Sequence, residues 1–308
     1  MSAQAALWVV FHLVVAGLIA LDLGVLTRTP HVLSTREAGL RSLAWVLLAL
    51  LFNAGVWWAR GPHDGLAFFT GYLLEEALSV DNIFVFLLIF RHFAVPPRLQ
   101  PKVLNWGILG AVVMRAAFIA TGVTLLHTIH WIVYVFGGLI MWAGFRMLRA
   151  PESAPAAERL AAMRALGARI APEAEAADAL VLRRGGRLYA TRLLLVLVVI
   201  EITDLVFAID SIPAILAVTT DPFLAYTSNV FAILGLRSLY FLLAGVMHLF
   251  RYLKTGLAIV LMLVGLKMLL SGIVAIPVGA MLGLVGSILG LSVAASLFHR
   301  PRGAGVLQ

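Results

Sequence analysis

Two apolar runs of this chain are interrupted by acids. The first, Leu74-Glu-Glu-Ala-Leu-Ser-Val-Asp-Asn82, carries Glu75, Glu76 and Asp81. The second, Thr203-Asp-Leu-Val-Phe-Ala-Ile-Asp-Ser-Ile-Pro-Ala214, carries Asp204 and Asp210, with Glu201 just ahead of it. Both follow one pattern of acid, five residues, Asp, small polar residue, Ile. Glu75, Asp81, Asn82, Asp204, Asp210 and Ser211 are the candidate metal ligands, with Ser79, Glu201, Arg115, Arg237 and Pro213 in support. All the proposed ligands are hard oxygen donors, neither run contains His, and the chain has no Cys. Such a set suits Mn2+, Ca2+ or Mg2+ rather than copper or zinc. Carboxylates crowded together cannot all be ionised without a cation, so an arriving metal would displace protons. Competition between metal and proton for one site is the physical basis of antiport.

The elements that must position these acids are membrane-spanning helices. Apolar residues make up 62% of the 308 and charged residues only 12%, and mean hydropathy is +1.02. A soluble domain carries about a quarter charged residues. Apolar stretches of about 20 residues, the length that crosses a hydrocarbon core, recur almost end to end. They lack the alternation of barrel strands, which leaves helices. We read nine spans, near 7–26, 39–59, 66–90, 103–126, 130–148, 190–219, 224–247, 256–271 and 274–298. The first has no basic segment before it and is too long for a signal peptide, so it is expected to stay attached.

Seven of the fifteen acids, Asp22, Glu75, Glu76, Asp81, Glu201, Asp204 and Asp210, fall inside spans. Each charge at a helix centre costs roughly 2.5 to 3.5 kcal/mol on insertion scales, so these groups must face one another, a cavity or cations. At about 100° per residue Glu75, Ser79 and Asn82 share a helix face, as do Asp204 and Ser211. Asp81 and Asp210 lie about 120° off those faces. Pro213 offers a remedy, since a proline inside a helix removes one hydrogen bond and kinks it. A kink there would free carbonyl oxygens beside Asp210.

An internal repeat orders these features. After the acidic motifs, Asn105-Trp-Gly-Ile-Leu-Gly110 with Arg115 matches Asn229-Val-Phe-Ala-Ile-Leu-Gly235 with Arg237. Gly144-Phe-Arg-Met-Leu148 then matches Gly265-Leu-Lys-Met-Leu269. Each unit is three spans, so the second enters the membrane from the opposite face, a common plan for secondary transporters. Lys and Arg alternate between dense and sparse connections, which places the N-terminus outside and the C-terminus inside. The expected organisation is 1–148 with the first repeat at 66–148, a cytoplasmic linker at 149–189, the second repeat at 190–272, and a last span with tail at 273–308. The linker is rich in Ala and Arg, and Leu160, Met163, Leu166 and Ile170 suggest a short amphipathic helix in it.

Other polar residues have plainer readings. Arg115, Arg237 and Lys267 are the bases available to pair with the acids; each arginine either neutralises an empty site or braces two helices. Glu76 points away from Glu75 and reads as an ion-pair partner. Asp22 reads as a helix-end carboxylate, His12 as a packed polar residue, and His127, His130 and His248 as interfacial. Gly279, Gly283, Gly286 and Gly290 form a stripe suited to close helix packing. The net charge of +8 sits between spans with no nucleic-acid motif beside it, so it is topological and no nucleic-acid partner is expected.

These motifs resemble the TerC family, named for tellurite resistance. The likeness runs from about Leu21 to Leu270 and includes Leu21-Asp-Leu-Gly24, the two acidic motifs, Trp106-Gly-Ile-Leu-Gly110 with Arg115, and Leu234-Gly-Leu-Arg-Ser-Leu239. The resemblance implies manganese efflux and, for some members, metal delivery to exported enzymes or tellurite tolerance. It carries the family's acidic residues to Glu75, Asp81, Asp204 and Asp210. Many members add a soluble domain after the last span, whereas this sequence ends at Gln308.

The expected function is export of a divalent cation, Mn2+ foremost, by proton antiport across a bacterial inner membrane. No prosthetic group is expected; metal, protons and lipid are the partners. A homo-oligomer and a cytoplasmic partner at the linker are compatible with the sequence. The alternatives are a membrane-embedded metal enzyme, for which no nucleotide loop or nucleophile motif is present, and an assembly or metalation factor.

Overall fold

A computed structural model of the chain describes residues 3–24, 34–129, 131–149, 179–184, 187–246, 252–274 and 276–298. Among them are nine helices: α1 (Ala3–Gly24), α2 (Thr35–Arg60), α3 (Pro62–His92), α4 (Gln100–Thr128), α5 (Ile132–Arg149), α6 (Arg192–Leu216), α7 (Pro222–Val246), α8 (Leu253–Leu269) and α9 (Val278–Phe298). Each corresponds to one expected span. Residues Thr35–Arg60, Gln100–Thr128, Ile132–Arg149, Pro222–Gly245 and Val278–Ser296 are long and apolar enough to cross a membrane by length and composition. The central helices α3 and α6 have comparable length but carry acids in their middles.

Local chemistry sets the helix ends. Ser34 accepts from the Glu37 backbone N–H at 3.2 Å, opening α2 with a serine cap. Gly61, with φ of 93°, ends α2 and lets Pro62 begin α3 at once. Asp221 accepts from the N–H groups of Phe223 and Leu224 and so caps α7. Arg60 pairs with Asp64 at 2.8 Å and also with Asp221, tying one end of α2 to α3 and α7.

The pairing of helices has a regular plan. Helix α6 packs on α4, with Gly107 beside Ile200 and Gly122 beside Leu216, so the two run parallel. Helix α7 packs on α3, with Phe68 near Phe231 and Phe90 near Tyr240, also parallel. Helices α5 and α8 are antiparallel and nearly in backbone contact. There a Cβ on Gly265 would stand 2.7 Å from the Gly137 carbonyl, and one on Gly144 would stand 2.7 Å from the Ala258 carbonyl.

The polarity of the bundle is inverted relative to a soluble core. Leu43, Leu47, Leu51 and Trp58 of α2 are exposed, as are Val113, Trp131, Trp142 and Leu291, while Glu75, Arg115, Asp204, Asn229 and Arg237 are buried. Lipid is the solvent that makes such a surface stable.

Three expectations need correction. Helix α6 is uninterrupted at Pro213 and continues to Leu216, so no break opens beside Asp210. Within this continuous helix Pro213 still offers no N–H to the Ile209 carbonyl and crowds the turn before it, so the adjustment falls on residues 209–213, while the last turn keeps its bond from Ala217 N–H to the Pro213 carbonyl. In the α9 stripe only Gly279 has a neighbour, Leu66, while Gly283, Gly286 and Gly290 face open space among the described residues. The expected linker includes an antiparallel hairpin, Val181–Arg184 with Arg187–Ala190, that periodicity does not reveal in so short a segment. The proposed amphipathic helix around Leu160 to Ile170 lies outside the described residues, as do His130 and His248.

Candidate functional site

Helix α3 turns Glu75, Ser79 and Asn82 inward together, with exposures of 1%, 1% and 3%. Their spacing of four and three residues is that of one helix face. Helix α6 turns Asp204 and Ser211 inward in the same way. Arg115 joins the two faces from α4. Its Nε donates to Asp204 Oδ2 at 3.3 Å and its Nη2 to Asp204 Oδ1 at 3.1 Å, a two-pronged contact. Its Nη1 donates to Glu75 Oε1 and, at 3.3 Å, to Ser211 Oγ. Three of the six candidate ligands therefore meet on one buried guanidinium.

The remaining oxygen of Glu75, Oε2, is buried and has no hydrogen-bond partner among the described residues. An unpartnered carboxylate oxygen in lipid-like surroundings is costly unless a donor or a cation reaches it. Helix α3 continues through Asp81, whose side chain lies outside the described residues, as does that of Asp22. Asp210 is half-buried and engaged in a contact of its own, on a different face of α6 from Asp204. Among the described residues no three His, Asp or Glu side chains converge as they would around a metal ion. What converges instead is two acids and a hydroxyl on an arginine.

The supporting residues divide. Arg237 of α7 donates to Asn105 Oδ1 of α4 at 2.6 Å, joining two residues of the matched motifs. Its counterpart Asn229 is fully buried, with neither amide atom hydrogen-bonded among the described residues. Glu201 is half-buried with its carboxylate against Gly110, where a Cβ would collide with it. Glu76 lies beside Gly235, and its Oε2 is buried without a hydrogen-bond partner among the described residues. Lys267, one of three bases available to pair with the acids, donates to the Ala217 carbonyl at the end of α6, at 2.8 Å. It caps the helix that Pro213 weakens, which a count of charges does not foresee.

Sequence reasoning left two features without a role. Trp45 lies in an ordinary apolar stretch, so nothing in α2 marks it as the neighbour of Gly235 that it is. Asn229 carried a signal in its match to Asn105, but not its burial. His12 is exposed but stacks against both Trp8 and Tyr226, at ring distances of 5.8 and 5.5 Å.

Known proteins resemble this chain along nearly its whole length. A protein from Myxococcus xanthus named uncharacterized membrane protein STKORF319 is 47% identical over 300 residues, covering 96% of this chain and 94% of its own. An Escherichia coli K12 protein described provisionally as membrane-bound redox modulator Alx is 45% identical over 293 residues, covering 92% of this chain and 91% of its own. An uncharacterized membrane protein of Rickettsia felis is 36% identical over 295 residues, covering 95% and 98%. No solved structure matches the chain. The model of the integral membrane protein TerC family matches residues 60–304, which include both acidic motifs, Arg115 and Arg237. The chain belongs to the TerC family of integral membrane proteins.

Proposed function

We propose that this protein is a secondary transporter, not an enzyme, that exports a divalent cation, Mn2+ by preference, in exchange for protons. Glu75, Asp204 and Ser211 supply the oxygen donors at one place, Asn82 shares the Glu75 face of α3, Asp81 and Asp210 are further acids along the same two helices, and the metal is cargo rather than a resident cofactor. The carrying observation is the meeting of Glu75 from α3 and Asp204 from α6, with Ser211, on one buried cation, Arg115. A place that holds a guanidinium between two carboxylates has the charge and the oxygen donors to hold a metal ion.

The architecture supports transport. The contact of Gly144 with Ala258 and Met262 recurs, with the helices exchanged, as that of Gly265 with Gly137 and Met141. Each pair of positions differs by the same interval as Gly144 and Gly265 themselves, and the two helices are antiparallel. A twofold axis perpendicular to both helices would produce this, which favours an inverted repeat of α3 to α5 with α6 to α8. Rocking one unit against the other would open the acids to each side in turn. We assign all nine helices as spans of a bacterial inner membrane, with the N-terminus outside and the connection after α5 in the cytoplasm. An effect on tellurite resistance, direct or through metal balance, belongs to the same proposal.

Uptake of Mn2+, Ca2+ and Mg2+ into inside-out membrane vesicles tests this. Wild type should accumulate Mn2+ in preference, and Asp204→Asn should abolish the uptake. Equal uptake by both proteins would remove the site assignment.

A further inference from the structure

Given the metal site proposed at Glu75 and Asp204, we infer that Arg115 is a tethered competitor of the transported cation, whose departure from those carboxylates is a required step of metal binding. The guanidinium spends four hydrogen bonds on Asp204, Glu75 and Ser211. These are the oxygens that a metal ion would need. A divalent ion and a guanidinium cannot share them, because like charges a few ångströms apart repel strongly away from water. Occupancy of the two cations is therefore mutually exclusive. The side chain is 1% exposed, so Arg115 cannot leave for solvent and must move within the bundle.

A purely bracing role makes the opposite prediction. If Arg115 only holds α3, α4 and α6 together, its removal loosens the ligands and weakens metal binding. If it competes, its removal strengthens binding, because apparent affinity is lowered by the fraction of time the site is occupied by the arginine. A guanidinium engaged for about nine-tenths of the time weakens binding about tenfold. Glu75 Oε2 fits the competitive role, being buried with no hydrogen-bond partner among the described residues while Oε1 is taken by Arg115. It is the oxygen on which an incoming ion could begin to bind before the arginine lets go.

The test is Mn2+ binding to the purified full-length protein in lipid nanodiscs, measured by calorimetry and by the electron paramagnetic resonance of free Mn2+. Arg115→Gln should bind Mn2+ about tenfold more tightly than wild type. Arg115→Lys, which keeps a cation but loses the two-pronged contact, should fall between them. It also serves as the decisive variant where Arg115→Gln does not yield folded protein. In Arg115→Ala, added guanidinium below its denaturing range should weaken Mn2+ binding, and should do so far less in wild type, whose place is filled. Unchanged or weaker binding by folded Arg115→Gln or Arg115→Lys overturns the competitor role and leaves the metal site standing. No Mn2+ binding by wild type or any variant overturns both.

Discussion

Gly144 of α5 and Gly265 of α8 occupy equivalent places in one reciprocal contact. Each lies against the backbone of the other helix, and a Cβ on either would stand 2.7 Å from a carbonyl oxygen. Because the obstruction is backbone rather than a flexible side chain, the helices themselves would have to move apart. Gly144→Val and Gly265→Val should each destabilise the protein by about 3 kcal/mol or more, at the upper end of overpacking costs. Gly138→Val, at a position with nothing within 4 Å, should be nearly neutral. Thermal unfolding in detergent, read by intrinsic tryptophan fluorescence, compares the three.

The Gly110 and Glu201 contact invites a compensation experiment. A methyl group at Gly110 would collide with the Glu201 carboxylate, the far end of a flexible side chain that can swing aside, so Gly110→Ala should lower thermal stability by only about 1 kcal/mol or less. Shortening the acid removes the collision. The double variant Gly110→Ala with Glu201→Ala should therefore be more stable than Gly110→Ala alone. A coupling energy of zero in the double-mutant cycle would show that the two side chains do not share this space.

The positions of the helices were legible because apolar runs mark them, and the nine stretches read in the sequence correspond to nine helices among the described residues, five of them long and apolar enough to cross a membrane. The inward face of α3 was legible too, since Glu75, Ser79 and Asn82 follow helical spacing and an acid facing lipid is prohibitive. The partner of those acids was not. Arg115 is separated by 40 positions from Glu75 and 89 from Asp204, and nothing in its own surroundings selects it over Arg237 or Lys267. Arg237 went to Asn105 and Lys267 to a helix end, both through contacts between distant segments. Pro213 sits in a helix that runs on to Leu216, because packing of neighbouring helices holds a proline-containing span in one piece, which spacing along the sequence does not show.

Arg237 and Asn105 offer a separate test of bracing away from the acids. The bond joins α7 to α4 inside the bundle, with Arg237 buried. Asn105→Ala leaves a buried cation short of an acceptor and should cost about 1 to 3 kcal/mol, whereas Asn105→Asp keeps an acceptor and should cost less. Melting temperatures of the two variants against wild type measure the difference. Equal losses would mean that the hydrogen bond is not the source of the effect.

Asp221 combines two duties whose sizes differ. It accepts from the N–H groups of Phe223 and Leu224 at the start of α7, and it pairs with Arg60 at a partly exposed site. Caps contribute about 1 kcal/mol, whereas exposed ion pairs contribute about 0 to 1. Asp221→Ser keeps a capping oxygen and loses the charge, so it should retain most of the stability that Asp221→Ala loses. A matching loss in both variants would assign the energy to the Arg60 pair.

Coupling to protons is the most exposed part of the transport mechanism. If metal and protons take turns on Glu75, Asp81, Asp204 and Asp210, outward metal movement must draw on the inward proton gradient, and metal arriving at the site must release protons. Collapsing the pH gradient across inside-out vesicles with an electroneutral exchanger should sharply reduce Mn2+ uptake, even with the electrical potential held constant. In unbuffered suspension, adding Mn2+ should release protons from vesicles containing wild type, and Asp204→Asn should lose both signals together. Uptake that is indifferent to the pH gradient would leave a metal pathway but no antiport, because the same carboxylates cannot exchange the two ions without one gradient acting on the other.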